Sequence, residues 1–238
     1  TPPYDQYVEL HIEQGPILEQ NETAIGVVES VHGVYQANVT LFGQSGHAGT
    51  TPQENRADAF AAGRRAMAAI EQAAATGDPD ITLTFGRVSV SPNAPNTIPE
   101  RATFSVDARH PNVEKLRHIR DQLFSWVNDT AAPCQVEVSE LVFNPPVVFD
   151  TAITTTIANA AASRSVSHQT IASGATHDAA NISQVVKSGM IFVPSIGGIS
   201  HREDEHTLEA DMLTGAQILF DTVCKLAGTV ENNGKTTR

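Results

Sequence analysis

The chain has 238 residues, 40 % hydrophobic and 18 % charged, with a formal net charge of −12 and a pI near 5.1. That balance supports a packed core and excludes global disorder. The acidic charge, with no Lys/Arg-rich run, argues against nucleic acid and anionic membrane as partners. No apolar run approaches the roughly 18–20 residues needed to span a bilayer.

The opening, Thr1-Pro2-Pro3-Tyr4-Asp5, has neither the basic start nor the apolar run of a secretion signal. It lacks an initiator methionine, so the chain is expected to begin inside a longer sequence. Val8-Glu9-Leu10-His11-Ile12-Glu13 alternates apolar and polar residues before Gln14-Gly15-Pro16. Residues Val31 to Gly43 read as a strand. Arg56 to Ala75 is alanine-rich and free of proline, a helix ended by Gly77-Asp78-Pro79. Ile81 to Val88 and Ala102 to Asp107 alternate and read as strands. Asn112 to Asn128 carries Val113, Leu116, Ile119, Leu123 and Val127 at helical spacing, behind Pro111. Gln135 to Leu141 reads as the next strand, and Pro145-Pro146 as an exit, because prolines in series favour extended chain.

That order is β-α-β-β-α-β, the split two-layer unit of ferredoxin-like folds. Downstream, Ala152–Ala162 and Glu209–Ala227 read as helices, and Met190 to Pro194 as a short buried strand. The implied division is residues 1–30, an inserted unit at 31–143, and a return to the first domain at 144–238. An outer strand of the inserted unit would leave backbone groups for a second copy to satisfy, so a homodimer is expected. Cys134 and Cys224 stand in apolar contexts. They read as buried thiols in a reducing cytoplasm, not as a disulfide framework.

Three histidines stand beside glycine, proline or a small hydroxyl residue. They are His11 before Gly15-Pro16, His47 between Gly46 and Gly49, and His201 after Gly197-Gly198 and Ser200. Such neighbours let the backbone turn tightly and bring an imidazole to a metal or a substrate. Taken singly, each is equally readable as a surface or loop histidine, and spacing alone favours that. His177-Asp178 opens a helix, where backbone N–H groups favour an anion, or is simply a capping pair. His32, His110, His118, His168 and His206 read as structural or surface residues. Arg109 offers a planar fork to a carboxylate, or is a solvated surface arginine. Asn96, on the proline-flanked loop Pro95-Asn96-Thr97-Ile98-Pro99, bonds a substrate or only its own backbone.

In series these segments are far more specific. Glu9-Leu10-His11-Ile12-Glu13-Gln14-Gly15-Pro16, Gly46-His47-Ala48-Gly49-Thr50-Thr51-Pro52, Asn96-Thr97-Ile98-Pro99, Asp107-Ala108-Arg109-His110, Gly174-Ala175-Thr176-His177-Asp178-Ala179 and the run from Ile191 to His201 occur in this order. The series resembles the amidase, hydantoinase/carbamoylase family of dinuclear metallohydrolases, over that family's C-terminal half. The resemblance implies a metallopeptidase-like α/β catalytic domain interrupted by a ferredoxin-like dimerisation, or lid, domain. It implies His11 and His201 as metal ligands, and His47, from a neighbouring subunit, as the group that polarises a ureido carbonyl. Asn96 and Arg109, from that same inserted domain, would hold the substrate carboxylate. Gln14 and the Gly174–Thr176 loop would line the pocket. The family usually has glycine where this chain has Thr176.

The implied cofactors are two divalent ions, zinc or manganese, with cobalt or nickel as further candidates. The implied reaction is hydrolysis of an N-carbamoyl-L-amino acid to the amino acid, ammonia and carbon dioxide. Allantoate or ureidoglycolate hydrolysis is the neighbouring alternative, and a non-catalytic dimerisation module the alternative of a different class. The family's upstream His-x-Asp motif, bridging aspartate and Glu-Glu pair have no counterpart here. Glu9 and Glu13 share strand parity with His11, so either could be a further ligand. With so few ligands, the 238-residue chain alone is expected to bind metal weakly and to be inactive.

Overall fold

The computed structural model describes residues 4–228. They form two units. One runs to Val31 and resumes at Val147; the other is His32–Pro146.

The first unit is built on a mixed sheet. Its order is β1 (Gln6–Ile12), β12 (Lys187–Val193), β2 (Ile25–Val31) and β10 (Val147–Val148), with β11 (His168–Ser173) also paired to β2. β1 runs parallel to β12, and β11 parallel to β2, whereas β12 and β10 are antiparallel to β2. Every residue of β12 after Lys187 is buried, the pattern of a strand covered on both faces. Ile191 and Val193 face one layer, with Ile153 and Ile157 of α4 (Thr151–Ser163) and Ile218 of α6 (Glu209–Leu226). Met190 and Phe192 face the other, with Leu18 of α1 (Ile17–Gln20) and Ala179 and Ala180 of α5 (Asp178–Ile182). Gly215 lets α6 lie directly on the sheet, since a Cβ there would stand 2.5 Å from Val193 Cγ1.

Parity in β1 sorts its side chains between these two layers. Val8, Leu10 and Ile12 pack into the α4–α6 layer. Glu9 and His11 therefore project to the opposite face, towards α5.

The second unit is an antiparallel sheet of order β5 (Thr82–Thr84), β8 (Arg101–His110), β3 (Gly33–Phe42) and β9 (Gln135–Asn144); β6 (Val88–Ser91) also pairs with β8. Two helices, α2 (Ala59–Ile70) and α3 (Val113–Ala131), share one core with it. Ala102, Phe104, Val106 and Ala108 of β8 meet Ala62, Ala66 and Ile70 of α2 and Leu116, Ile119 and Leu123 of α3 there. The other face is polar, with Gln36, Asp107 and Arg109 among its residues. A separate ribbon pairs β4 (Gly46–His47) with β7 (Thr97–Ile98).

The elements differ from the sequence expectation at definite points. α2 begins at Ala59 rather than Arg56, because the Asp58 carboxylate accepts the Ala61 N–H and caps it. Its last turn, Glu71–Ala75, widens into a π-helix. The expected strand Ile81–Val88 is interrupted: Thr82–Thr84 and Val88–Ser91 both lie along β8, and the Phe85 ring turns in edge-on to Phe104. β2 and β11 are additional strands, and the expected strand from Val31 starts instead at Gly33. Among the described residues no helix is long and apolar enough to cross a membrane.

Candidate metal centre

Glu9, His11 and His177 bring one ligand atom each to within 4.8 Å of one another. β1 supplies the first two by parity. His177 arrives from the loop after β11, at the residue preceding α5, and its ring meets that of His11 edge-on with centroids 4.7 Å apart.

The hydrogen bonds fix which nitrogens are bare. A carbonyl only accepts, so the 2.8 Å contact between His11 Nδ1 and the Ile12 carbonyl places the proton on Nδ1. The His11 Nε2 lone pair is left outward. The Ser173 hydroxyl donates to the Ala175 carbonyl (3.2 Å). Ser173 Oγ therefore accepts at 2.8 Å from His177 Nε2–H, and His177 Nδ1 is bare, 4.0 Å from Glu9 Oε1. Burial holds His177 down to about 4, and the neighbouring His11 adds to this, so the imidazole is neutral near pH 7. Two bare imidazole nitrogens and a carboxylate oxygen suit zinc and other borderline divalent ions. The Ile12 carbonyl and Ser173 orient the two imidazoles, as the outer partners of metal ligands do. Glu9 Oε2 is itself held by the Ala179 N–H at 2.6 Å.

Glu13, the other acid of the same parity, is spent locally. Its two carboxylate oxygens accept the N–H groups of Ile17 (2.7 Å) and Leu18 (2.8 Å) and cap α1. Sequence position alone makes His177 half of a capping pair at a helix start; its side chain makes no cap bond and faces His11 instead.

His201 lies outside that group of three among the described residues. It sits exposed on a turn at φ 56, where its N–H donates to Glu205 Oε2 (3.1 Å). The Ser200 hydroxyl, then the His201 N–H, hold the Glu205 carboxyl below the usual range against some burial, and the imidazoles of His201 and His11 add to this. Gln14 is tied to the same loop: its N–H donates to Ser195 Oγ (3.0 Å) and its Nε2 to Ser200 Oγ (3.0 Å). The two loops interlock at Gly198. Its φ is +64, and a Cβ there would stand 2.7 Å from the Pro16 nitrogen. Gly198→Ala is therefore expected to destabilise the fold by about 1–3 kcal/mol, from strain and overpacking together; urea unfolding measures it. Gly174 and Thr176 are exposed between Ser173 and His177.

The second unit carries the remaining candidates. His47 and Asn96 come together, because the β4–β7 ribbon pairs His47 with Thr97 and the Ala48 N–H donates to the Asn96 carbonyl (3.0 Å). The Gly49 N–H donates to His47 Nδ1 (3.0 Å), so Nδ1 is the acceptor and Nε2–H is left as the donor. Arg109 is elsewhere. It stands at the far end of β8 from Arg101, eight strand residues or roughly 27 Å away by strand rise. Arg101 is the end that adjoins the His47–Asn96 ribbon. Within one copy, Asn96 and Arg109 thus stand towards opposite ends of β8.

The Arg109 fork also has an internal partner. Its Nε and Nη2 donate to Asp107 at 2.9 and 3.2 Å, and Gln36, the cross-strand neighbour, donates to the same carboxylate at 2.6 Å. Burial pushes the Asp107 carboxyl up, but the Arg109 and Gln36 hydrogen bonds outweigh it and hold it low.

Asp78, Asp80 and His110 form another group of possible ligands, but it is closed by its own hydrogen bonds. The Asn112 N–H occupies His110 Nδ1 (2.8 Å), so Nε2–H donates to Asp78 (3.2 Å), and Lys115 takes the other Asp78 oxygen at 3.2 Å.

The profile of peptidase family M20/M25/M40 matches residues 1–225. The chain is 37 % identical over 227 residues to the allantoate amidohydrolase of Escherichia coli (strain K12), covering 93 % of this chain and 54 % of that protein. It is 36 % identical over 216 residues to an N-carbamoyl-L-amino-acid amidohydrolase of Paenarthrobacter aurescens, covering 90 % and 52 %. Among solved structures, a hydantoinase/carbamoylase family amidase from Burkholderia vietnamiensis superposes with a TM-score of 0.89 at 36 % identity, covering 94 % of this chain and 55 % of that one. The chain thus spans about half the length of the curated relatives it matches.

Proposed function

The chain belongs to peptidase family M20/M25/M40, and from that premise we propose that it is part of a metal-dependent amidohydrolase that cleaves the ureido C–N bond of N-carbamoyl-L-amino acids. The products are the L-amino acid, ammonia and carbon dioxide. The observation that carries this reading is the pair of bare imidazole nitrogens beside the Glu9 carboxylate. His11 is a ligand there, and His201, on the loop tied to Gln14, serves a second ion in the complete site. Divalent ions bound there supply Lewis acidity and lower the pKa of a bound water.

The residues of this chain do the rest. His47 Nε2–H donates to the ureido oxygen as negative charge develops on it. Arg109, braced by Asp107, pairs with the substrate carboxylate. Gln14 and the Gly174–Thr176 loop bound the pocket, and Thr176 gives that loop a side chain. The strand order of the second unit, with two helices on one face, supports reading it as a ferredoxin-like insertion that pairs two copies. The roughly 27 Å along β8 supports a reading in which Arg109 comes from one copy, and His47 with Asn96 from the other, at each shared site.

The names of the relatives support carbamoyl amino acids and allantoate alike, since both substrates join a ureido group to a carboxylate. Ammonia release separates them. A polypeptide of the relatives' full length that carries these residues is supplied with zinc or manganese and offered N-carbamoyl-L-amino acids, allantoate and ureidoglycolate in turn. The reading expects the highest specificity constant for the carbamoyl amino acids. Preference for allantoate would replace the substrate while keeping the chemistry, and no release from any of the three would favour a non-catalytic module.

A further inference from the structure

The loop that carries His47 is clasped by a single side chain. Arg56 comes directly after the 3₁₀ turn Gln53–Asn55. Its Nη2 donates to the Ala48 carbonyl at 2.6 Å and to the Thr51 carbonyl at 2.8 Å, and its Nε donates to Thr51 at 3.0 Å. Inside the clasp, the Thr51 N–H donates to the His47 carbonyl (3.2 Å) and the Gly49 N–H to His47 Nδ1 (3.0 Å). There is little slack. A Cβ on Gly49 would stand 3.3 Å from His47 Cε1, and one on Gly46 would stand 3.2 Å from Thr51 Oγ1.

We propose that Arg56 is a positioning residue for His47: by clasping the Ala48 and Thr51 carbonyls it keeps the Gly49 N–H aimed at His47 Nδ1, so that the exposed imidazole presents Nε2–H as a fixed donor. The proposal rests on the reading of His47 as the group that polarises the ureido oxygen. His47 is exposed, so burial does little to orient its ring. The segment around it is rich in glycine and small residues, which allow many backbone conformations. A donor aimed at a developing oxyanion is effective only if it needs no reorganisation when charge appears. The planar guanidinium spans two carbonyls at once, whereas a lysine ammonium is a point charge on a flexible stem.

The test uses the 238-residue chain labelled with ¹⁵N and no substrate. Nuclear magnetic resonance reads the coupling across the hydrogen bond between the Gly49 nitrogen and His47 Nδ1, and the exchange rate of the Gly49 amide. The wild-type chain should show the coupling. Arg56→Met should lose it and speed Gly49 exchange about five- to tenfold, the equivalent of one hydrogen bond, while the amides of β3 and β8 keep their protection. Arg56→Lys should restore the coupling only in part. Full coupling and unchanged exchange in Arg56→Met would overturn the proposal. Should that variant fail to fold, full wild-type coupling in both Arg56→Lys and Arg56→Gln would overturn it as well. No catalysis enters this experiment, so the catalytic reading fails separately, if His47→Gln leaves ammonia release unchanged.

Discussion

His11→Ala is expected to weaken metal binding sharply at the Glu9–His11–His177 group and, in the complete enzyme, to abolish turnover. His11 is the member whose bare Nε2 is set by its own backbone bond to Ile12. Removing it leaves one imidazole and a carboxylate that is already held by the Ala179 N–H. Loss of an outer partner alone typically costs about 10–100-fold in metal affinity, so loss of a ligand should cost on the order of 100-fold or more. Titration calorimetry with zinc measures this. Ser173→Ala provides the internal scale: it leaves all three ligands in place, removes the hydroxyl that fixes the His177 tautomer together with its bonds to the Ala175 backbone, and should fall in the smaller range. Equal affinity in His11→Ala and wild type would remove His11 from the site.

Arg109→Ala should lower the specificity constant of the complete enzyme through substrate binding, by on the order of 2–5 kcal/mol for a desolvated charge pair. The side chain is 31 % exposed, which places the effect towards the lower end of that range. Arg109→Lys should not rescue it, since an ammonium cannot hold both Asp107 and a substrate carboxylate with a planar fork. The loss should vanish with a substrate analogue that lacks the carboxylate. A uniform loss on both substrates would make Arg109 a structural residue of β8.

These expectations draw on different depths of the sequence. The amphipathic spacing of α3 and the alternation in β8 are readable because their periods are regular. β11 is not, since His168-Gln169-Thr170-Ile171-Ala172-Ser173 carries few large apolar residues and pairs along one edge of β2. Parity places both Glu9 and Glu13 beside His11. Choosing between them needs the turn after Pro16, which puts two backbone N–H groups on Glu13. The approach of His177 to His11 depends on the order of β1, β12 and β2, and no local pattern carries that order. Alternation alone ends one strand at Asp107; the ladder with β3 carries it on to His110 and so places Arg109 on the strand itself, at the far end from Arg101.

The most direct test of the metal centre is an anomalous diffraction map of zinc-soaked crystals of the chain. The account predicts a peak within bonding distance of His11 Nε2, with the Glu9 carboxylate and His177 Nδ1 around it, absent in His11→Ala. A peak at Asp78, Asp80 and His110 instead, or none near His11, would contradict it.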